Sequence, residues 1–318
     1  MTYTPPPQPP IASTVSAEAR AVMTPILDPA SQPPITAEML LDPDALAFIR
    51  SSSAAMLKPL ADARAARHGV EVEDGLHGGV PVRIVRKAGT AASEDRLLIN
   101  FHGGGFVLDS GSLNESIPIA GLTGIPVVTV DYRLAPEHPF PAAVDDALAV
   151  YRDALTRHAP SAIGIFGTSA GAILSLQLLA RLKAEGLPLP AAAGLLSGAG
   201  DLGVVGDCEA FLPSLSAGRP STEMLDSYCT ATPRSDPLLS PIRGDLSGLP
   251  PVMVMASTRD QLLSHSLLVD RALRAAGVTV DLRVYEGMMH AFWAWIECPE
   301  TDDALAAQAD FLLRHLPG

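Results

Sequence analysis

Apolar residues along this chain follow two rhythms. Short unbroken runs rich in Val, Ile and Leu, the pattern of strands buried on both faces, occur at residues 70–72, 80–85, 97–101, 127–130, 163–166, 192–196, 252–255 and 280–285. Between them, apolar positions recur at the three-to-four spacing of a helix with one buried face, over residues 142–157, 172–185, 264–276 and 301–316. Strands alternating with helices predict an α/β fold with a mostly parallel, eight-stranded, doubly wound sheet. Such sheets place their ligand sites at the carboxyl ends of the strands. No internal repeat is apparent.

Two stretches do not fit the sheet. Residues 1–68 carry helical patterns around 17–27, 37–50 and 52–67 with proline-rich interruptions, and 201–232 is an irregular excursion before the strand at Val252. The expected organisation is an N-terminal arm with cap helices (1–68), a first core segment (69–200), a cap insertion (201–232) and a second core segment (233–318). The alternative for the first region is a helical arm packed on the side of the sheet. Its apolar residues, among them Met23, Ile26, Leu40, Leu46, Phe48, Ile49 and Met56, exceed what one packing face needs, and some are expected to line the ligand pocket.

The chemistry is concentrated in two short segments: His102-Gly103-Gly104-Gly105-Phe106, and 65 residues later Gly167-Thr168-Ser169-Ala170-Gly171. The second lies between a buried strand and a helical run, so Ser169 is expected on the sharp turn of a nucleophile elbow, its Oγ pushed into the open. Glycines on either side remove side chains that would clash across the turn. The amide of Ala170 then points where a substrate carbonyl oxygen becomes negative, beside a helix N-terminus, and the first segment can supply further bare amides, Gly103 and Gly104. Read singly, G-x-S-x-G arises by chance in a chain rich in small residues, and a glycine run is an ordinary tight turn or a phosphate cradle. No G-K-[ST] follows the glycine run, however, and no G-x-G-x-x-G opens a helix after it.

Composition narrows the class further. With 318 residues, 47% hydrophobic and 18% charged, the chain can bury a large core. A formal net charge of −13 argues against nucleic acid or an anionic membrane as partner. Cys208, Cys229 and Cys298 have no metal-ligand spacing and make no disulfide framework. The uncharged stretch 159–180 would register as a membrane span, but its Gly164, Gly167, Ser169 and Gly171 divide it into a strand and a helix. Residues 1–10, proline-rich with no basic region before an apolar stretch, are not a secretory signal and are expected to be disordered, which leaves a cytoplasmic protein as the expectation.

A general base must come from eight histidines. His290, in Gly287-Met288-Met289-His290, stands just past the last strand, whereas His102 belongs to the glycine loop and is expected to brace it. His138 sits in a proline-rich turn, and His68, His77, His158, His265 and His315 have no strand-end context. The acid is expected at the end of the preceding strand, which favours Asp260; Glu286, beside the histidine loop, is the rival.

With these residues placed, the chain resembles the hormone-sensitive-lipase-like esterases of the α/β-hydrolase fold. The resemblance covers roughly residues 70–318 and is carried by HGGGF, by the block Asp131-Tyr132-Arg133-Leu134-Ala135-Pro136-Glu137-His138-Pro139-Phe140-Pro141-Ala142-Ala143, by GTSAG, and by Asp260 and His290. It implies Ser169 as nucleophile with Asp260 and His290, an oxyanion hole of Gly103, Gly104 and Ala170, an N-terminal helical cap and no cofactor or metal. Phe106 and Phe292 are expected to touch the substrate. Asp131, Arg133 and Glu137 are expected to pair with one another. Many members have Asp where Thr168 stands and Gly where Ala172 stands, a difference that bears on local bracing. The implied function is a serine carboxylesterase for short- to medium-chain acyl esters, its partner a small-molecule ester, with a homodimer left open. A lactonase or amidase would use the same triad, and a non-catalytic receptor on this scaffold would lack a working histidine.

Overall fold

A computed structural model describes residues 10–27, 36–89, 95–211 and 222–316. Residues 1–9 of the proline-rich tail and 212–221 of the expected cap insertion lie outside the described residues. Each predicted strand is present, in order β1 Val70–His77, β2 Val80–Lys87, β3 Leu97–Phe101, β4 Val127–Val130, β5 Ile163–Thr168, β6 Ala192–Leu196, β7 Val252–Arg259 and β8 Val280–Met289. They form one eight-stranded sheet in the order β1-β2-β4-β3-β5-β6-β7-β8. Only β2 runs against its neighbours; from β4 through β8 every pairing is parallel. Strands β3, β5 and β6 are buried along their whole length, which is why they read as unbroken apolar runs.

The period-two alternation of these strands separates two cores. Leu97, Ile99 and Phe101 face one layer with Val144 and Leu174, from helices α5 (Ala142–Leu155) and α6 (Ala170–Ala184). Leu98, Phe166 and Met253 face the other, with Ile117 of α4 (Ser112–Thr123) and Leu305 and Phe311 of α11 (Pro299–His315). Helix α9 (Leu263–Ala275) joins the first layer through Val269. The uncharged stretch 159–180 is divided between β5 and α6, and no helix among the described residues is long and apolar enough to cross a membrane.

Three local expectations give way. The patterns at 37–50 and 52–67 are not two helices of those bounds: a short α2 (Ala37–Leu41) is followed by one long α3 (Pro43–His68). The break falls at Asp42 because its carboxylate accepts the amides of Asp44 and Ala45, with Pro43 opening the helix. Helix α4 is not foreshadowed in the pattern, since Pro118 and an almost wholly buried surface, with Glu115 its one ionisable residue, erase its helical periodicity. The block at 131–137 does not pair internally. Asp131 binds Arg83 of β2, Arg133 binds Asp146 of α5 at 2.8 Å, and Glu137 binds Arg50 of α3 at 2.7 Å. The turn splays the three charges apart, and each fastens it to a different element.

Helix α1 (Ala17–Ile26) packs against α11. Ser16 donates its amide and hydroxyl to Glu300 at 2.7 and 2.8 Å, and Met23 joins the cluster of Phe292 and Leu305. Helix α3 instead crosses α4, where the nearly inaccessible Arg64 donates to Glu297 and to the carbonyls of Asn114 and Ile296.

Candidate active site

β5 ends at Thr168, and Ser169 takes φ 57° and ψ −117° before α6 begins at Ala170. A positive φ on a residue with a side chain is strained, and the surroundings hold it. The Ser169 amide donates to the Leu196 carbonyl at 2.8 Å, and a Cβ on Gly171 would fall 1.8 Å from the Phe101 carbonyl oxygen, so only glycine lets the elbow seat against the end of β3.

From that end of β3 runs the glycine loop. Gly104 has φ 117°, and a side chain there would meet the Leu108 carbonyl at 1.9 Å. His102 braces the loop: its ring stacks on Tyr132 at 4.2 Å, its Nδ1 lies 2.7 Å from the Gly103 carbonyl, and the Tyr132 hydroxyl donates to the His102 carbonyl at 2.7 Å. Arg50 adds a clamp from α3, donating to the carbonyls of Val107 and Ala135 at 2.8 and 2.9 Å.

β8 continues to Met289, four residues beyond its expected end, through an irregularity opposite Ser257–Arg259. His290 therefore stands at the carboxyl end of a strand, its Nδ1 2.7 Å from Asp260 Oδ1. Asp260 is shut off from solvent and also accepts the Ser197 hydroxyl and the Leu262 amide, the latter at 2.8 Å. Burial alone would raise its pKa, but the charge and hydrogen bond of His290, with the Ser197 and Leu262 donors, hold it below the usual carboxylate value. Glu286 is exposed, and its carboxylate accepts the Thr14 hydroxyl. The geometry thus pairs the histidine with Asp260.

A cavity of about 110 Å³ opens beside Ser169, bordered by Gly105 and Ala170 on one side and by Leu202, Val205, Leu225 and Leu262 on the other. Its polar wall is Asp201, Glu209, Arg234 and His265. His265, set aside on sequence grounds, is buried, with its Nε2 2.6 Å from Glu209 Oε2. Its sequence signal is absent because Glu209 lies on α7 (Asp207–Phe211), 56 residues away. The walls come from the 201–209 segment and from α8 (Thr222–Tyr228), not from the N-terminal apolar residues. Met23 and Leu46 are spent in the two cores, while Phe48 and Met56 are 72% and 64% exposed.

Phe106 and Phe292, expected against the substrate, are both fully buried and border no part of the cavity. Phe106 stacks on Tyr228 at 3.7 Å, and Phe292 packs edge-on against Trp293 and Tyr285. An aromatic beside a catalytic motif is as useful for holding its turn as for touching a ligand. Sequence reading also missed Glu115 of α4. Its Oε2 accepts Asn100 Nδ2 at 3.2 Å, two residues before the glycine loop. One signal was available: Glu115 is the sole charge between residues 110 and 130. Among the described residues no cluster of three or more His, Cys, Asp or Glu is arranged to hold a metal.

Residues 98–294 match the model of an alpha/beta hydrolase fold family. The chain is 33% identical over 234 residues to an acetyl-hydrolase of Streptomyces hygroscopicus, covering 70% of this chain and 77% of that one. It is 34% identical over 255 residues to an esterase of Acinetobacter venetianus, covering 73% and 82%. Among solved structures, an esterase from the bacterial hormone-sensitive lipase family superposes with a TM-score of 0.79 at 29% identity, over 95% of this chain and 99% of that one. Another, esterase E25, superposes at 0.81 with 31% identity over 99% of both chains.

Proposed function

We propose a course for the reaction from one premise: this chain belongs to the α/β-hydrolase fold family, in its hormone-sensitive-lipase-like branch, and is a carboxylic ester hydrolase. Ser169 is the nucleophile, His290 the general base and Asp260 the group that orients the base. The observation that carries this assignment is the pairing of His290 with the buried Asp260 at 2.7 Å, at the same carboxyl edge of the sheet as the strained Ser169.

Asp260 accepts Nδ1–H, which leaves the Nε2 lone pair as the base. As Ser169 Oγ bonds to the ester carbonyl carbon, His290 takes its proton. The carbonyl π pair moves onto oxygen, and the resulting oxyanion is held by backbone amides. The tetrahedral intermediate collapses, the carbon–alkoxy bond breaks, and His290 returns its proton to the departing alcohol. Water, deprotonated by His290, then attacks the acyl-enzyme and releases the acid and free Ser169.

Gly103, Gly104 and Ala170 are the proposed donors, and Gly105 borders the cavity beside Ala170. The 110 Å³ cavity is smaller than the roughly 150 Å³ space that admits a benzene ring, which favours short acyl groups of about four carbons.

The test is a series of p-nitrophenyl esters from C2 to C16 with wild type and Ser169→Ala. The wild-type optimum is expected at or below C6, and the variant is expected to fold and to lose roughly 10⁴-fold or more in kcat. A folded variant with a tenth of wild-type turnover would overturn the nucleophile, and an optimum at C12 or longer would overturn the short-chain assignment.

A further inference from the structure

Among the described residues, four that are not glycine take a positive φ: Phe106 at 64°, Ser169 at 57°, Ser197 at 51° and Ala291 at 52°. Backbone of this kind costs energy and persists where the surroundings over-determine it. Three of the four belong to segments already placed at the site: Phe106 closes the glycine loop, Ser169 is the proposed nucleophile and Ala291 follows His290. Ser197 belongs to none of these. It lies one residue past β6, fully buried, after a strand of nothing but Ala, Gly and Leu.

Its hydrogen bonds show what the strained turn holds. β6 lies between β5, which ends in the elbow, and β7, which leads to Asp260. The carbonyl just before Ser197, that of Leu196, accepts the Ser169 amide at 2.8 Å. The Ser197 amide donates to the Met255 carbonyl of β7 at 2.6 Å, and the Ser197 hydroxyl donates to Asp260 Oδ2. The path of the chain beyond is fixed as well, because a Cβ on Gly198 would fall 2.4 Å from that of Ala172 in α6. One turn is therefore bonded to the nucleophile on one side and to the carboxylate on the other.

The two oxygens of Asp260 are used differently. Oδ1 takes the His290 ring and the Leu262 amide at 2.7 and 2.8 Å, whereas Oδ2 takes the Ser197 hydroxyl. Bonds to one oxygen leave a carboxylate able to swing about its Cβ–Cγ bond, and a donor on the other fixes its plane. That plane sets the direction in which the imidazole Nδ1–H is drawn, and so where Nε2 points. An aliphatic side chain at 197 would leave Oδ2 buried without this donor.

We infer that Ser197 is a positioning residue: it holds the Asp260 carboxylate in register with the Ser169 turn and, through Asp260, aims His290 Nε2 at the Ser169 hydroxyl. This rests on the assignment of Ser169, His290 and Asp260 made above.

The experiment measures kcat and KM on one short p-nitrophenyl ester, with urea midpoints, for wild type, Ser197→Ala, Ser197→Gly, Asp260→Asn and the double variant Ser197→Gly/Asp260→Asn. Alanine removes the hydroxyl and keeps the turn strained, while glycine removes the hydroxyl and relaxes the turn, so the glycine variant should be the more stable of the two. Both should lose roughly 10- to 100-fold in kcat with KM within about threefold, since a hydrogen bond to a charged group is lost and substrate contacts are not. In the Asp260→Asn background Ser197→Gly should cost less than about twofold further, because it acts through the residue already changed. A folded Ser197→Gly with wild-type kcat, a loss confined to KM, or a double variant whose loss is the product of the two single losses would overturn the inference. Should Ser197→Ala not fold, the glycine and double variants decide. Asp260→Asn alone separates the two levels: turnover near wild type there would reject the acid assignment itself, whereas a collapse there beside an unimpaired Ser197→Gly would reject only the role of Ser197.

Discussion

Asp260 and Glu115 are both carboxyls shut away from water near the proposed catalytic residues, and their acidities move in opposite directions. Asp260 is held below its ordinary value and Glu115 is pushed up to about 8. Burial acts on both in the same sense, so burial does not explain the difference. The partners do. Asp260 faces an imidazole that becomes a cation in the proposed reaction, together with a hydroxyl and an amide. Glu115 accepts from the neutral Asn100 amide, and the Asp109 carboxylate disfavours its charge. One carboxyl is placed to carry charge beside the imidazole proposed as the base; the other is pushed toward its neutral form.

The comparison breaks most visibly under amide substitution. Asp260→Asn should lower kcat at neutral pH by on the order of 10³ to 10⁴, because the imidazole loses the partner that selects its tautomer and stabilises its cation, whereas Glu115→Gln should remain within about threefold. Steady-state kinetics of the two variants on one ester measure the contrast, and similar losses would erase it.

Stability against pH sharpens it next. Glu115, raised from 4.5 to about 8, contributes stability that is fully present below pH 4.5 and is lost as pH rises through about 8. At most one proton separates the states, so the slope in that window is about 1.4 kcal/mol per pH unit. Asp260, lowered from 3.8, contributes in the opposite sense: its stability is present above pH 3.8 and is lost as pH falls through its folded value. Urea titrations from pH 3 to 9 should therefore show Glu115→Gln flattening the decline between pH 4.5 and 8 while leaving the acid limb in place. A decline unchanged in the variant would mean that Glu115 is charged in the native protein.

The smallest effect belongs to a third carboxyl. Glu286 is exposed and bound by Thr14 in the N-terminal arm, so Glu286→Gln should change kcat by less than about twofold, within the range of ordinary surface substitutions. A loss approaching that of Asp260→Asn would transfer the acid role to Glu286.

Much of this site is legible in the chain because its parts are contiguous. The elbow needs small residues at fixed offsets from Ser169, the glycine loop needs bare backbone, and β7 and β8 deliver Asp260 and His290 at their ends, so local sequence and strand order suffice to select them. What failed to show are relations between distant residues. Arg133 reaches Asp146, Arg50 reaches Glu137, and Glu209 meets His265, none of them by any fixed spacing. Phe106 sits beside the motif but turns into the core against Tyr228, and no sequence offset distinguishes a ring that faces a ligand from one that supports a turn.

The sequence by itself determined the strand and helix alternation, the sharp turn that carries Ser169 and the order in which Ser169, Asp260 and His290, the proposed triad, arrive, because hydrophobic periodicity and backbone strain act over a few residues. Only the tertiary structure decided which segments wall the cavity, that Phe106 and Phe292 turn into the core, and that a lone carboxyl in α4 is buried against Asn100 at the end of β3. Hydrogen bonds and side-chain packing act over a few ångströms in space whatever the separation along the chain, and that is information a linear pattern does not carry.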